Sequence, residues 1–243
     1  MINNEFYDDL EEGWYTRNDH PVALLRAEHI VRTPWILSLL PPSSKILDIG
    51  CGAGLLSNVL AKNQHMVTGI DLSEKSLQTA RKYDDTNSVT YLQANAYSLP
   101  FPDASFDSVC ALDILEHVEE PHLLIAEASR ILKPKGLFFF HTFNRTLRSY
   151  LMVIKGVEWC VRNTPKNMHV YPLFIKPREL EELCELHKLK ILSIKGLRPR
   201  FSFSFWNLLF TNHISETFSF RFCNSLATGY CGYARKCGTL SLR

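Results

Sequence analysis

No run of roughly 20 consecutive apolar residues occurs in the 243-residue chain, so no segment has the length that a helix needs to cross a bilayer. The longest uncharged, aromatic-rich stretch, 201–215, is interrupted by Ser, Asn and Thr. A cysteine framework is missing too. The seven cysteines (51, 110, 160, 184, 223, 231 and 237) are odd in number and show no C-x-x-C spacing, which argues against a disulfide scaffold or a cysteine-bound metal and fits reduced thiols. There is no internal repeat and no low-complexity tract. With 46% hydrophobic residues and a mean hydropathy of −0.08, disorder, collagen-like fibre and coiled coil are excluded, and one globular domain with an attached subdomain is expected. The opening MINNEFYDDLEEG is acidic and polar, without the pattern of a secretory or transit peptide, so cytoplasmic residence is expected.

Charge is distributed unevenly. The totals, 27 Lys+Arg against 25 Asp+Glu, nearly cancel. Residues 1–144, however, hold 11 basic and 19 acidic side chains, while residues 145–243 hold 16 basic and 6 acidic. The two ends therefore differ in sign, which is either a solvated dipole or the mark of an anionic partner for the C-terminal half.

From Lys45 to Phe140, buried-looking runs alternate with amphipathic ones, the pattern of a doubly wound α/β sheet with crossover helices. Strands are expected at 45–49, 66–70, 89–92, 106–112 and 137–143. Helices are expected after Gly54, from the Ser73-Glu74 cap, and from about Pro121 to Leu132, where Lys133-Pro134-Lys135-Gly136 stops the last of them. Residues 1–44 form N-terminal helices at 5–15 and 21–40, the second stopped by Pro41-Pro42. The core spans 45–143. An insertion at 144–176 follows, irregular in pattern and too long for an ordinary connection. Residues 177–243 complete the sheet with a helix at 177–187, strands near 189–195 and 228–235, and an aromatic-rich insertion at 198–222.

The most informative motif is Leu47-Asp48-Ile49-Gly50-Cys51-Gly52-Ala53-Gly54, between a strand and a helix. Glycines there let the backbone turn and approach a ligand, and a helix N-terminus follows. A nicotinamide dinucleotide is the competitor, because G-x-G-x-x-G occupies the same position. Here the spacing is G-x-G-x-G and a carboxylate precedes it. That carboxylate would repel a pyrophosphate and attract an ammonium. Asp71, at the end of the second strand, can accept from both ribose hydroxyls, and Asn95-Ala96, after the third, can meet an adenine amino group.

These residues resemble the class I S-adenosylmethionine-dependent methyltransferases. The resemblance implies a Rossmann-like sheet of seven strands with the last antiparallel, S-adenosylmethionine as methyl donor, and cofactor contacts at Asp48, Gly50, Gly52, Gly54, Asp71, Leu72, Asn95, Ala96 and Leu112. Asn95 departs from the Asp of many members. A more specific set, Asp113-Ile114-Leu115-Glu116-His117-Val118, Phe143-Asn144-Arg145, Pro165-Lys166-x-x-His169 and Phe174-Ile175-Lys176-Pro177-x-Glu179-Leu180, is similar to the ubiquinone-biosynthesis O-methyltransferases over about residues 20–190. That family implies methylation of a hydroxyl on a polyprenylated phenol or catechol, and it implies association with other quinone-biosynthesis proteins. It also places a cofactor-binding arginine before the glycine loop, for which Arg26 is the candidate.

O-methylation requires a phenol to lose or weaken its proton while its oxygen is aligned with the methyl carbon. His117 is the natural base, with Glu116 beside it. Asp113, Glu116 and His117 form a D-x-x-E-H cluster that could hold Mg2+, which would favour ionisation of a catechol; helix capping and a surface histidine are the plainer alternative. Arg145, Arg148, Lys155, Arg162 and Lys166 flank Tyr150 to Ile154, Val157 and Trp159, a mixture suited to an anionic membrane surface and equally to a buried helix. In 198–222, the alternation Phe201-Ser-Phe203-Ser-Phe205 fits an edge strand as well. The expected protein is therefore a cytoplasmic enzyme associated peripherally with the inner face of a membrane. Its rivals are a methyltransferase for another small phenol or quinone precursor and a non-catalytic S-adenosylmethionine-binding protein; a nucleic-acid partner is not expected, since no N/D-P-P-Y/F motif is present.

Overall fold

The computed structural model describes residues 5–238; residues 1–4 and 239–243, the ends of the first and last expected segments, lie outside the described residues. After a short turn at Glu5–Tyr7 come α1 (Gly13–Thr16) and α2 (Val22–Leu37). The core then runs β1 (Lys45–Ile49), α3 (Ser57–Lys62), β2 (Met66–Asp71), α4 (Glu74–Lys82), β3 (Thr90–Gln93), β4 (Phe106–Leu112), α5 (Pro121–Ile131) and β5 (Leu132–Phe143). The remainder is α6 (Leu147–Ser149), α7 (Gly156–Cys160), α8 (Pro177–Leu186), β6 (Leu189–Pro199), α9 (Phe203–Thr211), β7 (Phe220–Cys223) and β8 (Gly229–Lys236).

The strands form one sheet in the order β3-β2-β1-β4-β5-β8-β6-β7. Strands β1 to β5 pair in parallel, and β8 lies antiparallel between β5 and β6. The expected last, antiparallel strand is thus present, and an eighth, β7, is added at the edge against β6. Alternation along β5 shows how the sheet divides two layers: Phe138 and Phe140 face Leu124, Ala128 and Leu180 of α5 and α8, while Phe139 faces Ile36 and Leu60 of α2 and α3. Local chemistry fixes the boundaries. The Ser73 hydroxyl accepts the Ser76 N–H at the start of α4, and Pro121 occupies the first turn of α5.

Four expectations change. The helix expected over 5–15 is reduced to the turn at Glu5–Tyr7 and the four-residue α1, with further turns between them. Lys133–Gly136 does end α5, yet it continues directly into β5 through a register irregularity opposite β4, because Lys135 takes a left-handed φ of 67° that redirects the chain. The irregular insertion is largely helical: a π turn, Tyr150–Lys155, joins α6 to α7, and Thr146 Oγ1 accepts the Ser149 N–H at its start. The Phe-Ser alternation belongs to helix α9, where Ser204 and Leu208 share an inward face; the strand of that insertion is β7 instead. Helix α9 packs with α2, α7 and β7 into a separate small core containing Ala27, Val161, Leu208, Phe218 and Phe220. Among the described residues, no helix is long and apolar enough to cross a membrane.

Candidate active site

At the carboxyl ends of β1 and β2 the chain makes a cradle. Gly50, Gly52 and Gly54 all have positive φ (68°, 51° and 79°), a conformation that side chains resist. A Cβ on Gly52 would also lie 2.7 Å from the Trp14 ring. Asp71 organises the turn: its Oδ2 accepts the Gly52 N–H at 2.9 Å and its Oδ1 accepts the Ser73 N–H at 2.9 Å. The resulting cavity of about 610 Å³ is lined by Asp48, Gly50, Gly52, Asp71, Leu72, Asn95, Ala96 and Leu112. Tyr7, Asp8 and Trp14 of the N-terminal segment cover it, with Tyr7 stacked on Trp14 at 5.3 Å and Ser73 hydrogen-bonded to Asp8. Asp48 is buried; lost hydration pushes its carboxyl up to about 7, although the Ser57 hydroxyl donates to it at 2.7 Å.

Two expected members stand apart from this cavity. Gly54 lies outside its lining and packs against Tyr91 and Ala80, so its role is in the turn itself. Arg26 points elsewhere, donating to Trp14 O, Arg17 O and Asn18 Oδ1 at 2.6–3.0 Å, because α2 begins only at Val22 and directs this residue toward the preceding loop. The arginine that α2 brings to the site is Arg32, fully buried, one turn beyond Glu28.

Arg32 donates to both oxygens of Asp113 at 2.7 Å, and the His141 ring bonds the same carboxylate. Burial alone would raise the Asp113 carboxyl, but Arg32 and His141 outweigh it and hold it well below the usual range. Asp113 itself has φ 57°, which turns the chain sharply out of β4 into the short helical turn Leu115–His117. This arrangement corrects the expected metal triad. Asp113 is committed to Arg32 and His141, and the third ligand atom within 4.8 Å of Glu116 and His117 comes from His169 instead. The second such group among the described residues, Glu28, Asp113 and His141, already holds the Arg32 guanidinium between its acids.

Glu116 is fully buried with neither carboxylate oxygen hydrogen-bonded, and His117 Nδ1 is likewise unpaired. Desolvation, then repulsion by Asp113, pushes Glu116 up to about 7. Burial pushes His117 down to about 4, and burial with the neighbouring His117 brings His169 to about 3. Both imidazoles are neutral near pH 7, the form that binds metals and a weaker base than free histidine. The expected helical D-x-x-E-H face does not form, since a three-residue turn replaces the helix.

A second cavity, about 360 Å³ and predominantly apolar, lies between α2, the 144–176 insertion and α9, with Leu24, Met152, Val157, Phe205 and Leu208 in its wall. Glu116 and His169 line only this one. The two cavities share Tyr7, Leu25, Asp113 and His117, so they meet beside the Glu116–His117–His169 cluster. Sequence patterns carried no signal for Tyr7, Glu28, Arg32 or His141, which converge from three separate segments. His169 stood only inside a motif without a role.

Residues 47–140 match a family model described as a methyltransferase domain. The ubiquinone biosynthesis O-methyltransferase of Thiobacillus denitrificans is 35% identical over 196 residues, covering 79% of this chain and 84% of that protein. The protein of the same description from Coxiella burnetii is 34% identical over 197 residues, covering 79% and 82%, and that of Pasteurella multocida is 40% identical over 164 residues, covering 63% and 68%. Among solved structures, magnesium protoporphyrin IX methyltransferase from Synechocystis superposes with a TM-score of 0.61 at 19% identity, covering 90% of this chain and 85% of that one. A SAM dependent methyltransferase from Aquifex aeolicus gives 0.61 at 14% identity, covering 97% and 100%. At such low identity the structural likeness concerns the fold alone.

Proposed function

The chain belongs to the ubiquinone biosynthesis O-methyltransferases, and from that membership we propose how its two cavities divide the work. The reaction is S-adenosylmethionine-dependent O-methylation in ubiquinone biosynthesis. The glycine cradle and Asp71 suit the nucleoside of S-adenosylmethionine: the glycines admit a close backbone approach, and a carboxylate fixed by two backbone N–H groups presents an edge to ribose hydroxyls. Asp48 places negative charge near the methionine ammonium, and Asn95, Ala96, Leu72 and Leu112 line the adenine end. When bound, the cofactor supplies an electrophilic methyl group on sulfonium.

The apolar cavity takes the other substrate, a polyprenylated phenol or catechol whose ring reaches the shared boundary while its tail lies among Met152, Val157 and Leu208. The observation that carries this reading is the junction at Tyr7, Leu25, Asp113 and His117, where the cavity of the glycine cradle and the apolar one share their lining. At that junction Glu116, with its carboxyl near 7, is better matched than His117 to take a phenolic proton. The Arg32 guanidinium, bidentate on Asp113, offsets part of the negative charge that would otherwise oppose the incipient phenolate. Tyr7 and Trp14 cover the cofactor side and exclude water.

The unpaired oxygens of Glu116 and the unpaired His117 Nδ1 also fit a divalent cation completed by His169. Bound there, it would lower the pKa of a catechol hydroxyl; two imidazoles suit a first-row transition ion better than Mg2+. For the membrane, Leu151 and Trp159 are exposed on the insertion among Lys155, Arg162 and Lys166, which supports peripheral association with an anionic leaflet.

Incubation of the purified chain with S-adenosylmethionine and a short-prenyl catechol, with and without chelator, tests the reading. Mass spectrometry should find one added methyl on oxygen, and a product formed on an equally soluble unprenylated phenol at the same rate would overturn the substrate assignment. Loss of turnover in chelator with recovery on adding a transition ion supports the cation; full activity in chelator leaves Glu116 as a metal-free base.

A further inference from the structure

Helix α9 is rich in large apolar side chains yet only half covered. Ser204 and Leu208 pack inward, and Phe205 and Leu209 face the apolar cavity. Phe203, Trp206 and Phe210, at i, i+3 and i+7, share the remaining face and are 86%, 53% and 84% exposed. The Ser204 hydroxyl, on the inward side, is satisfied by Thr217 at 2.6 Å, so the outward face carries as polar groups only the Trp206 indole N–H and the half-buried Asn207 amide beside the three rings. Three large aromatic rings left exposed together on one helix mark a surface that another phase or partner covers.

Two further observations define what covers it. The segment that carries α9 is cationic: residues 195–222 hold Lys195, Arg198, Arg200 and Arg221 against a single acid, Glu216, and the Arg198 guanidinium lies 5.7 Å from the ring of Phe201, two residues before α9. A second copy of the chain would bring these like charges together, whereas an anionic surface neutralises them. The exposed face also continues onto α7, since Asn212 Nδ2 donates to Trp159 O at 3.1 Å and the Trp159 side chain is itself exposed. Helices α7 and α9 are adjoining walls of the apolar cavity.

We propose that α9 is a docking wedge for an anionic membrane leaflet, and that the seam between α7 and α9 is the port through which the prenyl tail reaches the apolar cavity. Phe203 and Phe210 lie among the acyl chains, Trp206 sits at headgroup level, and the arginines contact lipid phosphates. The port rests on the substrate reading above; the docking face stands on its own exposure and charge.

Full-length parent and a Phe203→Ser/Phe210→Ser variant, whose changes avoid the cavity lining, are compared by co-sedimentation with phosphatidylcholine vesicles and with vesicles containing one part phosphatidylglycerol. Calorimetry with S-adenosylmethionine checks folding. The parent should prefer the anionic vesicles, and the variant should bind them at least roughly tenfold more weakly with unchanged cofactor affinity. Its turnover on a short-prenyl catechol in buffer should equal the parent's, while turnover on a long-prenyl catechol embedded in vesicles should fall by a similar factor. An Arg198→Gln/Arg200→Gln variant should lose the anionic preference. Unchanged vesicle binding by the Phe variant overturns the wedge, as does a concentration-dependent dimer that these substitutions dissolve in a parent without vesicle affinity. Weakened vesicle binding with no turnover on either catechol supports docking and overturns the substrate reading together with the port.

Discussion

The cofactor cradle and the apolar cavity sit side by side but are built on different plans. The cradle draws its principal groups from short segments at the ends of consecutive parallel strands, Asp48 to Gly52, Asp71 to Ser73 and Asn95 to Ala96, and backbone N–H groups hold it. The apolar cavity is assembled from Phe6 at one extreme and Gly229 at the other, with helices α2, α7 and α9 between. A site made of backbone geometry tolerates little change at few positions. A site made of packing spreads its energy over many contacts and adapts its shape. The shared boundary carries buried charge, and there single substitutions should cost most.

That contrast can be broken first at Arg32. Arg32→Met leaves Asp113 buried beside only His141, and removing one partner of a buried pair costs about 3–5 kcal/mol. Chemical denaturation should register this loss, with Arg32→Met/Asp113→Asn recovering part of it; a silent Arg32→Met would mean that the boundary is no more charge-sensitive than the cavities. Next come the reacting groups. Glu116→Gln, and separately His117→Ala, should lower turnover by roughly 10²-fold while leaving S-adenosylmethionine affinity nearly unchanged. A variant that loses cofactor affinity in parallel would assign that residue to the cradle instead.

Within the cradle, Asp71→Ala should weaken S-adenosylmethionine by about 1–3 kcal/mol in calorimetry, and it also releases the Gly52 N–H. The smallest effect concerns Asp48. Its carboxyl, near 7 when folded and near its ordinary value when unfolded, binds more protons in the native state between about pH 4 and 7, so stability contributed by this group is present in acid and is lost as pH rises through 7. Asp48→Asn should therefore raise the melting temperature at pH 8 relative to pH 5, by the equivalent of roughly 1 kcal/mol once water in the open cavity is allowed for, while weakening the cofactor. An unchanged pH slope would show that Asp48 is solvated rather than buried.

The five parallel strands, the Ser73 cap, the glycine cradle and Asp71 were legible in the residue pattern, because each is governed by interactions within a few residues or by alternation along one strand. The sequence also marked the aromatic insertion and the charge reversal between the halves. Tertiary structure alone decided that Arg32 rather than Arg26 reaches the site, for the helical phase of α2 against β4 and β5 selects which arginine turns inward. It alone withdrew Asp113 from the expected ligand set and put His169 beside Glu116 and His117, since Arg32, Asp113 and His141 come from three separate elements. The Phe-Ser repeat of 201–205 fits a strand by its period of two; the small core against α2, α7 and β7, into which Ser204 and Leu208 turn, made it a helix with one aromatic face left to solvent.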